Sequence, residues 1–309
     1  MTLQIRIAIV GVGKIAIDQH LPAIKSNPNF ELVALVSRSA AAGDVPVFAS
    51  LDAAFAAGLS IDAVAICTPP GIRVDACRIA SANGCAILIE KPPAATVSEA
   101  LELRSMADAA PVPIFATWHA RFASKVVDAA NWCRSHTLRA GRIDWLEDAR
   151  KWHPGQDWLW RKGGFGVFDP GINALSILTA LYPHEWGVSN TTFDVPANVD
   201  MPISAQFVLT AGEADIAVNF DFRQTPRETW ALNLEATDGS TLELTEGGAA
   251  IAMNGGERIR SENLEYAAIY ERFAHIVRCG ESEFDVSPLR LTERAFATAH
   301  VKTVAPFIG

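Results

Sequence analysis

The stretch that most constrains this chain lies at its start. Residues 5–10 (Ile-Arg-Ile-Ala-Ile-Val) are an apolar, strand-like run. They end in Gly11-Val12-Gly13-Lys14-Ile15-Ala16 and pass straight into a helical pattern. Strand, glycine turn and helix in this order make the dinucleotide fingerprint Gly-x-Gly-x-x-Ala. Gly11 permits the tight turn, and Gly13 lets a pyrophosphate approach the bare backbone. Lys14 and Ile15 open a helix whose free N–H groups and positive dipole end suit phosphates. Ala16 is small enough for close helix–strand packing. An ordinary glycine turn in an α/β domain has the same local form, so the rest of the chain has to decide.

Beyond the fingerprint, strands and helices alternate. Strands are expected at Phe30–Val36, Val45–Phe48, Ile61–Cys67, Ala86–Ile89 and Ile114–Trp118. Helices are expected at Lys14–Ser26, Leu51–Ala57 and Val74–Asn83, with another between the last two strands. Short connections between such elements predict a parallel, doubly wound sheet. Ligands of these sheets bind beyond the carboxyl ends of the strands. That edge receives Cys67-Thr68-Pro69, Glu90-Lys91-Pro92 and Trp118-His119.

The chain has 309 residues, enough for two domains, and half of them are hydrophobic. We expect a Rossmann dinucleotide-binding domain over 1–120 and a substrate-binding and oligomerisation domain over 121–309. The net charge of −9 argues against nucleic acid and anionic membrane as partners. There is no apolar run long enough to span a bilayer and no signal-peptide pattern, so a cytoplasmic protein is expected. The five cysteines are scattered without a Cys-x-x-Cys pair. They read as buried thiols, not as a zinc site or a disulfide framework.

Cofactor choice is legible after the second strand. An acid there would bind the adenosine ribose hydroxyls of NAD. This chain has Ser37-Arg38-Ser39 instead. A hydroxyl and a guanidinium suit a 2′-phosphate through charge-assisted bonds, so NADP is expected to be preferred, with NAD possible. Lys91, at a strand end facing the cofactor, is placed to bind a substrate oxygen. With Cys67, Thr68, Pro69 and Glu90 it completes the expected cofactor edge.

In the second half, a helix is expected at Lys125–Ser135 and a strand at Arg139–Trp145. Trp152, Trp158 and Trp160 then crowd nine residues, as flat surfaces against a sugar ring would. A helix over Asp169–Leu181 puts Asp169 and Asn173 on one face at its N-terminal end. Asp169 could equally be the helix N-cap. Strands are expected at Thr191–Val195, Ile203–Leu209, Ala214–Phe222, Thr229–Ala236 and Thr241–Glu246. Helices are expected at Tyr266–Arg278 and Leu289–Val304. A sheet covered by helices on one face leaves the other for a homo-oligomer contact.

Gly11-x-Gly13, Ser37-Arg38, Glu90-Lys91-Pro92 and Asp169-x-x-x-Asn173 together resemble the glucose–fructose oxidoreductase/inositol dehydrogenase/MocA family. More narrowly, four runs resemble the bacterial aldose 1-dehydrogenases that act on L-arabinose and D-galactose. They are Gly13–Pro22, Thr117-Trp118-His119, Trp152–Gln156 and Phe168–Ser176. The resemblance implies a Rossmann domain followed by an α+β domain with a large, open, mostly antiparallel sheet. It implies oxidation of an aldose at C1, D-fucose included, with Lys91 and Asp169 handling the proton. Asn173 stands where the family usually has His, and it can orient a hydroxyl but not act as a base. The resemblance also implies that His119, Glu147, Asp148, Trp152 and His153 line the sugar pocket. Redox-assisted glycoside hydrolysis, cyclitol oxidation and a non-catalytic NADP-binding regulator stay open as alternatives.

Overall fold

The computed structural model describes residues 3–38 and 44–308. Ser39 of the Ser37-Arg38-Ser39 run lies outside them. By their contacts these residues form two compact units, one of Met1–His119 with Glu265–Val286, the other of Ala120–Leu264 with Ser287–Gly309.

The first unit carries β1 (Ile5–Val10), β2 (Phe30–Val36), β3 (Val47–Phe48), β4 (Ala63–Ile66), β5 (Ala86–Glu90) and β6 (Ile114–Thr117). They form a six-stranded parallel sheet in the order β3-β2-β1-β4-β5-β6. β4, β5 and β6 are buried at every position, as parallel strands covered on both faces must be. The order reverses between β1 and β4, which makes their carboxyl ends the switch point. The helix after β1 opens at Lys14, takes a π-helical turn over Ala16–His20 and continues as α1 (Leu21–Ser26). The wider turn places His20 on the buried side. Between the strands lie α2 (Leu51–Ala56), α3 (Val74–Ala82) and α4 (Val97–Ala109), the last two packed together. Ser50 and Thr96 cap α2 and α4 with their hydroxyls.

The second unit carries α5 (Val126–Ser135), β7 (Leu138–Leu146), α6 (Ala149–Trp152), α7 (Phe168–Leu181), β8 (Gly187–Pro196), β9 (Ser204–Ala211), β10 (Ala214–Asp221), β11 (Thr229–Ala236), β12 (Thr241–Thr245), β13 (Ala250–Met253) and β14 (Ile259–Arg260). After α8 (Glu265–Cys279), which lies in the first unit, come α9 (Ser287–Thr298) and β15 (His300–Val304). The sheet order is β14-β13-β12-β11-β7-β10-β9-β8-β15. It is mixed, with β7–β10 and β8–β15 parallel and the remaining pairs antiparallel. The pleat turns Ile143, Val218, Phe207 and Leu232 to one buried face, against α5, α7 and α9. Gly171 lets α7 come down on this face, because a Cβ there would lie 2.5 Å from the Phe220 ring. The opposite face is polar, with Asp144 accepting from Arg142 and Asn219.

Three local expectations change. The final helix stops at Thr298, and His300–Val304 turns to strand and joins β8 as an edge. Val301, Thr303 and Val304, β-branched around Lys302, favour that extended form. Cys279 is exposed, while Cys67, Cys77, Cys85 and Cys133 are buried. Residues 265–286 return to the first unit, whereas a single division near residue 120 assigns them to the second. The return is anchored by main-chain bonds from Ala116 N to Glu283 O and from Glu283 N to Ile114 O. Among the described residues no helix is long and apolar enough to cross a membrane.

Candidate active site

In the first unit the fingerprint sits at the switch point. Gly11 has φ +90°, and a Cβ there would lie 2.7 Å from Thr68 Cγ2 and 2.8 Å from Thr68 N. β1 and β4 can therefore end side by side only with glycine at this position. Gly13 differs, since a Cβ there meets no described atom within 4 Å. The protein's own packing does not demand this glycine, whereas a pyrophosphate lying on the backbone does. Lys14 pairs with Asp18 on the exposed side of the new helix, and Ile15 is half-buried. Ser37 N donates to Phe48 O, which holds the end of β2, and Arg38 is exposed beside it. Cys67 is buried beneath the Thr68-Pro69 turn. Thr68 Oγ1 is buried with no hydrogen-bond partner among the described residues. An orphaned hydroxyl, a bare glycine and a helix N-terminus fit a nicotinamide dinucleotide.

Lys91 directly follows β5, and a cis bond joins it to Pro92. Its setting is built on Glu90, whose side chain is buried. Glu90 Oε1 accepts from His20 Nε2 (3.0 Å) and from the Tyr266 hydroxyl (2.8 Å), and Oε2 accepts from Lys91 N (2.9 Å). His20 Nδ1 reaches the Tyr270 hydroxyl at 2.8 Å. Burial pushes the Glu90 carboxyl up, but the bond and charge of His20, the charge of His119 and the Tyr266 hydroxyl bring it down to about 2. Burial likewise opposes charge on His20, yet Cys67, Tyr270 and Glu90 hold it well above its ordinary value. Burial raises Tyr270 to about 12, so its phenol stays protonated. Buried Arg73 closes the arrangement from the other side. It donates to the carbonyls of Thr68, Glu90 and Pro92 and so ties the cofactor turn to the lysine loop. His119, just past β6, pairs with Glu265 at 2.6 Å and stacks on Tyr266.

The second unit gathers a different set. Glu147 follows β7 and is 3% exposed. Its Oε1 accepts from His153 Nε2 (2.8 Å) and its Oε2 from Trp230 Nε1 (2.9 Å). His153 Nδ1 lies 3.9 Å from Asp169 Oδ2. Helix α7 begins at Phe168, one residue before the expected start, with Val167 rather than Asp169 at its N-cap position. Asp169 thus stands in the first turn, where the helix dipole favours a carboxylate. Asn173, one turn on, keeps a buried Oδ1 with no partner among the described residues, as does Trp152 Nε1. The Trp152 ring lies 5.3 Å from Trp230. Asp148 is engaged otherwise, capping α6 through Arg150 N and pairing with the Arg150 guanidinium. That bond keeps its carboxyl below the usual range. Trp160 packs against Phe222 and Phe307.

Glu147, Trp152, His153, Asp169 and Asn173 are therefore parts of one polar cluster, and Asp148 faces its own cap. Sequence reading missed Trp230, His20, Arg73, Tyr266 and Tyr270. Of these, only His20 carried a signal, as a polar residue inside an otherwise buried helix face.

The oxidoreductase family model with an NAD-binding Rossmann fold, GFO/IDH/MocA, matches residues 5–117. Galactose 1-dehydrogenase of Pseudomonas fluorescens is 40% identical over 306 residues, covering 98% of each chain. A crystal structure of D-galactose-1-dehydrogenase from Rhizobium etli superposes with a TM-score of 0.94 at 40% identity, covering 100% of this chain and 99% of that one. The fold is shared more widely. A 3-ketoreductase of Actinomadura kijaniata, solved with NADP, has a TM-score of 0.84 at 16% identity, covering 98% and 100%.

Proposed function

Because this chain belongs to the GFO/IDH/MocA oxidoreductase family, we propose that it oxidises an aldose of the D-galactose or L-arabinose type at C1, giving the lactone. The observation that carries the reading is the Asp169/Asn173 pair on α7, with the Asn173 amide oxygen buried and unsatisfied. A sugar hydroxyl is the group that satisfies it, and Trp152 Nε1 offers a donor for another. The 40% identity to two galactose 1-dehydrogenases supports C1 as the reacting carbon.

The dinucleotide is held by Gly11, Gly13, the helix after them and Thr68, and when bound it supplies the hydride acceptor. Lys91 binds the anomeric oxygen and stabilises the negative charge that develops on it. Asp169 receives the proton of that hydroxyl, and Asn173 holds a neighbouring one. Arg38 favours the 2′-phosphate of NADP over NAD. Such a reaction draws on the cytoplasmic nicotinamide pool, and the polar face of the nine-stranded sheet is the surface offered to a second copy of the chain.

The test is reduction of NADP and NAD by the purified protein across aldoses, cyclitols and aryl glycosides, with the lactone identified. Rapid reduction with D-galactose or L-arabinose is expected. Glycoside cleavage without net reduction, or reduction with cyclitols alone, would overturn the proposal.

A further inference from the structure

We infer that His153 is the proton relay of this site, an imidazole set between the carboxylates of Glu147 and Asp169. The inference rests on the aldose oxidation proposed above.

The geometry assigns the two ring nitrogens different tasks. Glu147 is buried and both its oxygens are engaged, one by His153 Nε2 at 2.8 Å and one by Trp230 Nε1 at 2.9 Å. A carboxylate fixed in this way only accepts, so Nε2 carries a proton and keeps it. That leaves Nδ1 as the exchanging nitrogen, and it faces Asp169 Oδ2 at 3.9 Å. The Phe222 ring lies 5.1 Å from the imidazole and limits its rotation. Gln156 Oε1 lies 3.5 Å from Nδ1 and suits a protonated nitrogen, and a turn of the amide would present its NH2 to a bare one. Carboxylates from two elements, the end of β7 and the first turn of α7, flank the ring. A proton arriving at Nδ1 therefore meets negative charge on both sides.

The step balances. The anomeric O–H bond breaks and its proton goes to Asp169. The C1–H electron pair leaves as hydride to the oxidised nicotinamide dinucleotide, and C1=O forms. Protonated Asp169 then passes its proton to Nδ1 of His153, 3.9 Å away, through one bridging water, and is again an anion for the next sugar. The imidazolium, held by Glu147, loses the Nδ1 proton to solvent as the lactone departs. Glu147 is thus a positioning residue, which sets the tautomer that makes Nδ1 available.

The experiment uses His153→Gln and Glu147→Gln in the full-length protein, each checked for folding by thermal melting. For His153→Gln, kcat is expected to fall about 100-fold, with KM for the sugar nearly unchanged. The acidic limb of the kcat/KM pH profile should move, and added imidazole should restore part of kcat. Nitrogen-15 NMR of the cofactor-free wild type should show neutral His153 protonated at Nε2, a preference that Glu147→Gln removes. A rise in KM alone, with kcat and pH profile as in the wild type, would make His153 a binding contact and overturn the relay. So would a neutral ring protonated at Nδ1. If His153→Gln does not fold, the pH profile of Glu147→Gln and the tautomer measurement decide. A wild type that oxidises no aldose would defeat the activity reading, and the relay with it; an active wild type with an unaltered variant would defeat the relay alone.

Discussion

His20 and Glu90 form a buried ion pair, with Nε2 3.0 Å from Oε1 and side chains only 0% and 4% exposed. Because the second Glu90 oxygen accepts from Lys91 N, the pair fixes the main chain of the candidate catalytic lysine as well as the interior of its unit.

Removing one partner leaves a buried charge uncompensated. His20→Gln should therefore destabilise the protein by about 3–5 kcal/mol, read from urea unfolding at pH 7. The pH dependence comes from the two shifts. The folded value of His20 is raised, so its contribution is complete below the ordinary 6.5 and is lost only as the pH climbs through the raised value. The Glu90 value is lowered to about 2, so its contribution is complete above 4.5 and is lost as the pH falls toward 2. The gap between wild type and His20→Gln should therefore be widest between these limits. An equal gap at pH 3 and pH 6 would refute the pairing.

Arg73 donates to three carbonyls that no point charge can reach together. Arg73→Met should cost about 3–5 kcal/mol by leaving buried acceptors unpaired. Arg73→Lys should fold but lower kcat, because the Thr68 turn and the Glu90–Pro92 loop are then no longer held by one rigid fork. Steady-state kinetics with the aldose that the wild type prefers gives the comparison.

Gly11 and Gly13 should separate stability from cofactor binding. Gly11→Ala puts a Cβ against Thr68 at positive φ, which should cost about 1–3 kcal/mol and lower the melting temperature. Gly13→Ala meets no protein atom, so its melting temperature should match the wild type. Its dinucleotide Kd should still rise roughly tenfold, about 1.4 kcal/mol. Calorimetric titration with NADP measures this, and an unchanged Kd would remove the pyrophosphate from Gly13.

Arg38 is exposed at the end of β2. Arg38→Asp removes a charge-assisted partner for a 2′-phosphate and supplies an acceptor for ribose hydroxyls. The ratio of kcat/KM for NADP over NAD should fall about 10- to 100-fold, from a loss of about 1.5–3 kcal/mol. A constant ratio would show that Arg38 does not choose the cofactor.

Much of the first unit was legible because its signals are local. The run from Ile5 to Val10, the glycine turn and the buried strands to Thr117 each declare their own conformation, and strand alternation with short helices leaves few topologies. The same holds for the Asp169/Asn173 pair, whose shared face is set by helical periodicity alone. β15 was less legible, because a β-branched run behind a helix has either form until an edge strand is there to pair with it.

From the sequence by itself came the fingerprint, the doubly wound order, Lys91 at a strand end and Asp169 with Asn173 on one helix face. The tertiary structure alone decided which side chains are partners. Tyr266 and Tyr270 reach Glu90 and His20 across some 176 and 250 positions of chain, Trp230 finds Glu147 from β11, and Asp148 turns to Arg150. Periodicity tells a residue which face it occupies, but not what packs against that face. Buried polar groups must be satisfied by whatever the fold brings to them, and that depends on contacts distant in sequence.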